Sequence, residues 1–232
     1  MRLRHLFAAT AFACVALTYA SASTADNLGK TLDWYNNSTT LTFGGLHYSN
    51  GGTIPQIKAA SNYHFGDFYI GNSVSFAFGR INGYKANRYT LGFTPGWLIP
   101  LNSDLALVPY ARIAGVLQDT YSGTSLQNTQ DAQLKLGYEI GGGAGIQWSP
   151  VHRLVINPSA DVAYYRQAYA QFDNQNNTHS TVYLSSTETR EQLAVNYYPW
   201  QWLHFGLDVE ARQFGAHASS LISYGAGLGI SF

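Results

Sequence analysis

His47 and Ser49 stand two residues apart in the chain. On a strand that spacing points both side chains to the same face. A histidine beside a serine can take the hydroxyl proton and leave the oxygen as a nucleophile. The pair shares its parity with Leu41 and Phe43, so it would point outward near the rim of a sheet. No Asp or Glu occurs between Asp33 and Asp67, so no local carboxylate orients the histidine. His47, His64, His179, His204 and His217 lack the spacing of a metal site, and neither a metal nor a cofactor is expected. Gly141–Gly143 and Gly145 are not followed by the Lys-Ser/Thr of a phosphate-binding loop. Lying mid-strand, these glycines predict room for bulky neighbours or a bend in the strand.

The charged residues carry a second pattern. Alternation places Lys58, Arg88, Arg112, Lys135, Arg190 and Arg212 on the same face as Glu139, Asp161, Glu188, Asp208 and Glu210. A barrel of about eight strands is just filled by its own side chains, and ten adds only modest width. Unpaired charges in so narrow a space are costly. The expectation is an ion-paired network that closes the lumen. Its rival is a narrow, gated conduit for small solutes. Arg166 and Glu191 break the pattern by falling on the apolar parity of neighbouring strands. Both are expected at the outer rim, pairing across the ladder or, for Arg166, gripping a lipopolysaccharide phosphate.

Strands must position all of these residues. Leu134, Leu136, Tyr138, Ile140, Ala144, Ile146 and Trp148 alternate with Gln133, Lys135, Gly137, Glu139, Gly141, Gly143, Gly145 and Gln147. At the end of the chain Ile222, Tyr224, Ala226, Leu228, Ile230 and Phe232 oppose Ser223, Gly225, Gly227, Gly229 and Ser231. Runs this long exceed the ~3–10 residues usual in soluble strands and suit a tilted strand crossing a bilayer, which needs ~9–11. An apolar face opposite a polar one places lipid outside and a crowded polar lumen inside. The chain is therefore expected to be all-β, a transmembrane antiparallel up-and-down β-barrel. Its strands are placed at 39–48, 57–65, 68–80, 87–99, 105–120, 132–148, 154–170, 182–198, 202–214 and 220–232. That makes ten strands, with eight as the alternative; a soluble sandwich alternates too but fits the strand lengths less well. Trp97, Trp148, Trp200 and Trp202 lie beside short turns at Pro100–Asp104, Ser149–Arg153 and Pro199–Trp202, as an interfacial girdle would. Gly66-Asp67 supplies one more short turn. The longer connections, Ser49–Gln56, Ile81–Ala86, Tyr121–Asp131, Gln171–Thr181 and Gly215–Ser219, suit the extracellular side.

The first residues have a different character. Arg2, Arg4 and His5 precede an apolar run from Leu6 to Ala20, and Ala20-Ser21-Ala22 supplies small residues for cleavage. Residues 1–22 are expected to be a signal peptide, 23–38 a periplasmic segment and 39–232 the barrel. The apolar run is too short for a spanning helix, which needs ~20 residues. Cleavage removes Cys14, the single cysteine of the chain, so the mature protein has no disulfide. It also takes Arg2 and Arg4 from the 13 Lys and Arg, leaving 11 against 13 Asp and Glu, a net charge of −2 that argues against nucleic acid.

On the signal peptide, the strand rhythm and the terminal Phe232, the chain resembles the small bacterial outer-membrane β-barrels, the porin-family and OmpA/OmpW-like barrels. The resemblance covers the mature chain and implies a Gram-negative outer membrane with lipid and lipopolysaccharide as surroundings. It also implies recognition of the last strand, at Tyr224, Leu228, Ile230 and Phe232, by the barrel-assembly machinery. The role implied is non-enzymatic, membrane-structural or surface-interacting. His47-Tyr48-Ser49-Asn50 resembles the His-x-Ser-Asn motif of lipid A deacylases, which implies acyl hydrolysis by Ser49 with His47. It departs from that family in lying in the first strand, with no glutamate following it closely. The ten-stranded omptin proteases use paired acidic residues and a histidine at the extracellular mouth. Asp119, Asp131, Asp173 and His179 are the candidates here, although no motif of that family matches.

Overall fold

A computed structural model describes residues 30–49, 51–81, 84–121, 133–173, 178–215 and 220–232. The expected signal peptide and residues 23–29 lie outside the described residues. The described residues begin with a short helix, α1 (Lys30–Asn36), followed by strands β1 (Ser38–Tyr48), β2 (Gly52–Phe65), β3 (Phe68–Ile81), β4 (Tyr84–Trp97) and β5 (Ile99–Asn102). Then come β6 (Leu105–Tyr121), β7 (Gln133–Trp148), β8 (Leu154–Asp173), β9 (Thr178–Trp200), β10 (Leu203–Phe214) and β11 (Ser220–Ser231). Each wall strand pairs antiparallel with the next, and β1 closes on β11 from Ser38↔Ser231 to Tyr48↔Leu221. At Leu98 the fourth wall strand breaks, its N–H donating to the Asp67 carbonyl at 2.6 Å, and β5 continues it along β6. Eleven segments thus build ten staves. Residues 39–65 form two full staves, which rules out the eight-strand alternative.

Alternation explains the result because closure leaves each strand one inner and one outer face. The outer face carries exposed Leu41, Phe43, Ile140, Val162, Leu193, Leu207 and Leu228, and the inner face carries the charges. That is the reverse of a water-soluble protein, and lipid is the solvent it suits. Aromatic rings edge the apolar band at the short-turn end, where Trp200 stacks on Trp202 at 5.9 Å and Phe68 meets Trp97 edge-on at 5.4 Å. Tyr138 and Tyr164 stand farther along β7 and β8, toward the opposite end.

The short turns need particular backbones. Gly66 has φ +55°, and Arg153, with no glycine's freedom, has φ +74°. Arg153 is held there on three sides. Its N–H donates to Thr31 Oγ1 at 3.3 Å, its guanidinium to the Pro199 carbonyl at 2.9 Å, and its own carbonyl accepts from the Tyr198 N–H at 2.8 Å.

At the far end the strands outrun the expected limits. β2 starts at Gly52 instead of 57, β9 at Thr178 instead of 182, and β8 ends at Asp173 instead of 170. Beyond the bilayer a ladder can be polar on both faces, so its residues read as loop. Asp173 and His179, expected in a connection, consequently lie within β8 and β9, while Asp119 lies within β6 as the expected strand 105–120 places it.

Candidate functional site

The inward parity of β2, β4 and β6–β10 collects the predicted charges into one belt across the lumen. Glu139 on β7 is met by three arginines: it contacts Arg112, while Arg212 Nη1 lies at 3.0 Å and Arg88 Nη2 at 3.8 Å. Asp161 joins Arg112 (3.3 Å) to Arg190 (Nε at 2.6 Å) and accepts from the Tyr110 hydroxyl at 3.1 Å. Glu188 lies 3.4 Å from Arg212 and 3.6 Å from Arg112. Glu210 contacts Arg212 and lies 3.6 Å from Arg190. Lys58 donates to Asp208 at 2.8 Å, which also accepts from Gln192 at 2.6 Å. Glu139 and Glu188 are fully buried. Charges so enclosed persist because each has opposite partners on several staves, which ties the wall together across its own interior. All the predicted charges stand in this belt except Lys135, whose side chain lies outside the described residues.

Two apolar layers missed from sequence flank the belt. At the short-turn end α1 enters the mouth, where Leu32 and Tyr35 pack with inward Leu98, Ala106, Val108, Val155 and Tyr198. Burial raises the Tyr35 phenol well above the usual tyrosine range, so it stays neutral. Asn36 and Gln147 exchange two hydrogen bonds, at 2.7 and 2.8 Å, and Asp33 accepts from His64 Nε2 at 3.1 Å. His64 Nδ1 faces the Gly66 carbonyl at 3.1 Å, so both ring nitrogens point at acceptors. At the far end Leu46, Ile54, Ala77 and Leu221 form a buried cluster, backed by Tyr48, Ile81 and Phe214. The spacing of Leu32 and Tyr35 was the one sequence signal of the plug.

The Asn36–Gln147 exchange makes a prediction. Asn36→Ala leaves the Gln147 amide buried without its partner, at a cost of about 1–3 kcal/mol. The plug should then become the first site of limited proteolysis, while the barrel keeps its heat-modifiable mobility.

Between the plug and the outer cluster lies a cavity of about 140 Å³ beside the belt, along β2–β4 and β6. Space arises there because Ala60, Gly71, Gly92, Ala114 and Gly145 stand where other staves carry long side chains. Gly141 and Gly143 of β7 act otherwise. A Cβ on Gly141 would lie 2.2 Å from the Val162 carbonyl oxygen, and one on Gly143 2.1 Å from that of Ala160. They permit the close approach of β8.

The other predicted sites stand apart from the belt. His47 Nδ1 is 3.0 Å from Thr53 Oγ1 on β2, and Ser49 Oγ accepts from the Ser220 N–H at 3.1 Å. Each therefore has a partner other than its neighbour in the motif. Arg166 and Glu191 both face outward, but the register sets Arg166 opposite Ser185 and Glu191 opposite Ala160. They do not face each other across the ladder, and Arg166 instead lies over the Tyr183 ring at 4.5 Å. The side chains of Asp119, Asp173 and His179, and the whole of Asp131 and His217, lie outside the described residues. Tyr224, Leu228, Ile230 and Phe232 are exposed on the outer wall of β11 and just beyond it.

No family model matches the sequence, and no curated protein matches it. Solved structures do share the fold. The outer-membrane protease OmpT of Escherichia coli aligns over 93% of this chain and 100% of its own, with a TM-score of 0.53 and 9% identity. The β domain of the Bordetella autotransporter BrkA aligns over 84% of this chain and 99% of its own, with a TM-score of 0.51 and 13% identity. The chain has the fold of small outer-membrane β-barrels.

Proposed function

We propose that this chain is a non-enzymatic integral protein of a bacterial outer membrane, with a closed lumen and a structural or surface-interacting role. The observation that carries the reading is the belt of buried ion pairs between two apolar layers. The short-turn end then faces the periplasm and the tall β8–β9 ladder faces outward. Export by the signal peptide of residues 1–22 and assembly through Phe232 belong to the same reading. The alternative, acyl hydrolysis of lipid A by Ser49 and His47, has against it the separate partners of those two side chains.

Expression in a Gram-negative host tests the reading. The lipid A mass spectrum should be the same for the wild type and for Ser49→Ala. Loss of an acyl chain with the wild type alone would establish the hydrolase instead. Arg166 offers a further outcome on the surface. Its guanidinium at the outer rim suits a lipopolysaccharide phosphate, held in bidentate fashion. Arg166→Glu should reduce lipopolysaccharide co-purification several-fold and leave folding intact. Unchanged retention would leave Arg166 only its contact with Tyr183.

A further inference from the structure

The cavity beside the belt is chemically unlike the rest of the interior. Its wall on β3 and β4 carries Ser73, Ser75, Thr90 and Thr94, whose side chains have no hydrogen bond within the barrel among the described residues. Polar groups left with such capacity fit a hydrated space, because an empty cavity is apolar. The rest of the lining presents Lys58, Arg112, Arg190 and Arg212 but a single carboxylate, that of Glu210. The other acids of the belt stand behind these cations, so the lining favours negative charge.

The cavity reaches across the lumen and also extends along the strands. Its lining extends from Gln56 to Asn62 on β2, six residues or ~20 Å of strand at ~3.3 Å per residue. The apolar band of such a barrel is ~25 Å tall. The two ends carry different apolar groups. At the outer end Ile54 follows Gln56 on the same face, and Leu221 follows Ser223. At the inner end the cavity meets Tyr35 of α1 and Val108. Apolar constrictions of this kind stop conduction by excluding water.

We propose that the cavity is the middle of a conduction path for small anions, shut by two seals in series. The outer seal is the Leu46–Ile54–Leu221 cluster, and the inner seal is α1. This rests on the closed-lumen reading and deepens it. The wild type does not conduct because both ends are shut, and opening either seal alone leaves the other in place. The belt itself need not move, since the path runs beside it.

Thiol accessibility tests the proposal. Residues 23–232 contain no cysteine, so Ser75→Cys places one thiol on the cavity wall. In barrels reconstituted into lipid vesicles, that thiol should resist an anionic methanethiosulfonate reagent. It should resist it also when Ile54→Ser and Leu221→Ser open the outer seal and the reagent is added from the inner side. With those changes combined with deletion of residues 23–36, the anionic reagent should react at least ten times faster than the cationic trimethylammonium analogue. Heat-modifiable migration selects the folded variants, and Leu32→Asp replaces the deletion where the deletion fails to fold. A folded, doubly opened barrel whose thiol stays inert, or reacts equally with both reagents, would overturn the anion path while leaving the closed barrel standing. Rapid labelling of Ser75→Cys without any opening would overturn the closed-lumen reading itself.

Discussion

Glu139→Gln should destabilise the folded barrel by about 3–5 kcal/mol, the cost of stranding a buried charge by removing one partner. Glu139 is enclosed among Arg112, Arg212 and Arg88, and its loss leaves these buried guanidiniums with fewer counter-charges. The readout is the urea midpoint in detergent or vesicles, followed by heat-modifiable migration. Glu139→Gln combined with Arg112→Met should cost less than the sum of the two single changes, because contacting residues do not act independently. The rescue is partial, since Arg112 also serves Asp161 and Glu188. Strict additivity would mean that the two residues face water and do not form a buried pair.

Gly143→Ala should be comparably severe for a different reason. Overpacking costs about 1–3 kcal/mol in most interiors. Here the added carbon meets backbone: the Ala160 carbonyl oxygen at 2.1 Å and the Asp161 Cα at 2.6 Å. Backbone in a closed ladder has no rotamer to change, so β7 and β8 must separate, and the expected loss lies at the upper end of that range. Gly115→Ala is the matched control. A Cβ there has nothing within 4 Å, and removing glycine's backbone freedom favours the folded strand by roughly 0.5–1 kcal/mol. Equal midpoints for the two variants would contradict the close approach of β7 and β8.

The barrel was legible because alternation within the bilayer leaves each strand residue a choice of only two environments. Glu139 and Asp208 to Arg212 declare their inward face by that alternation alone. The far ends were less legible, since Thr178–Thr181 is polar at every position and shows no alternation, yet it continues the ladder. The plug was missed because seven residues hold too few turns for a helical period to stand out. Leu46 and Leu221 sit on the polar parity and Ile54 in an expected connection, so none of them reads as core, yet they form one buried cluster. Arg166 and Glu191 were placed on the correct face, but their pairing depends on register. The register follows from the length of the β8–β9 connection, which sequence polarity overestimates. For His47 and Ser49, parity put two side chains on one face and said nothing of Thr53 and Ser220, whose hydroxyl and backbone N–H engage them from neighbouring strands.

Planar-bilayer recording of the purified wild-type barrel tests the central claim most directly. With the belt, the plug and the outer cluster intact, insertion should add no steps of current in molar potassium chloride at moderate voltage. Uniform, steady ohmic steps from folded wild-type protein would contradict a closed lumen.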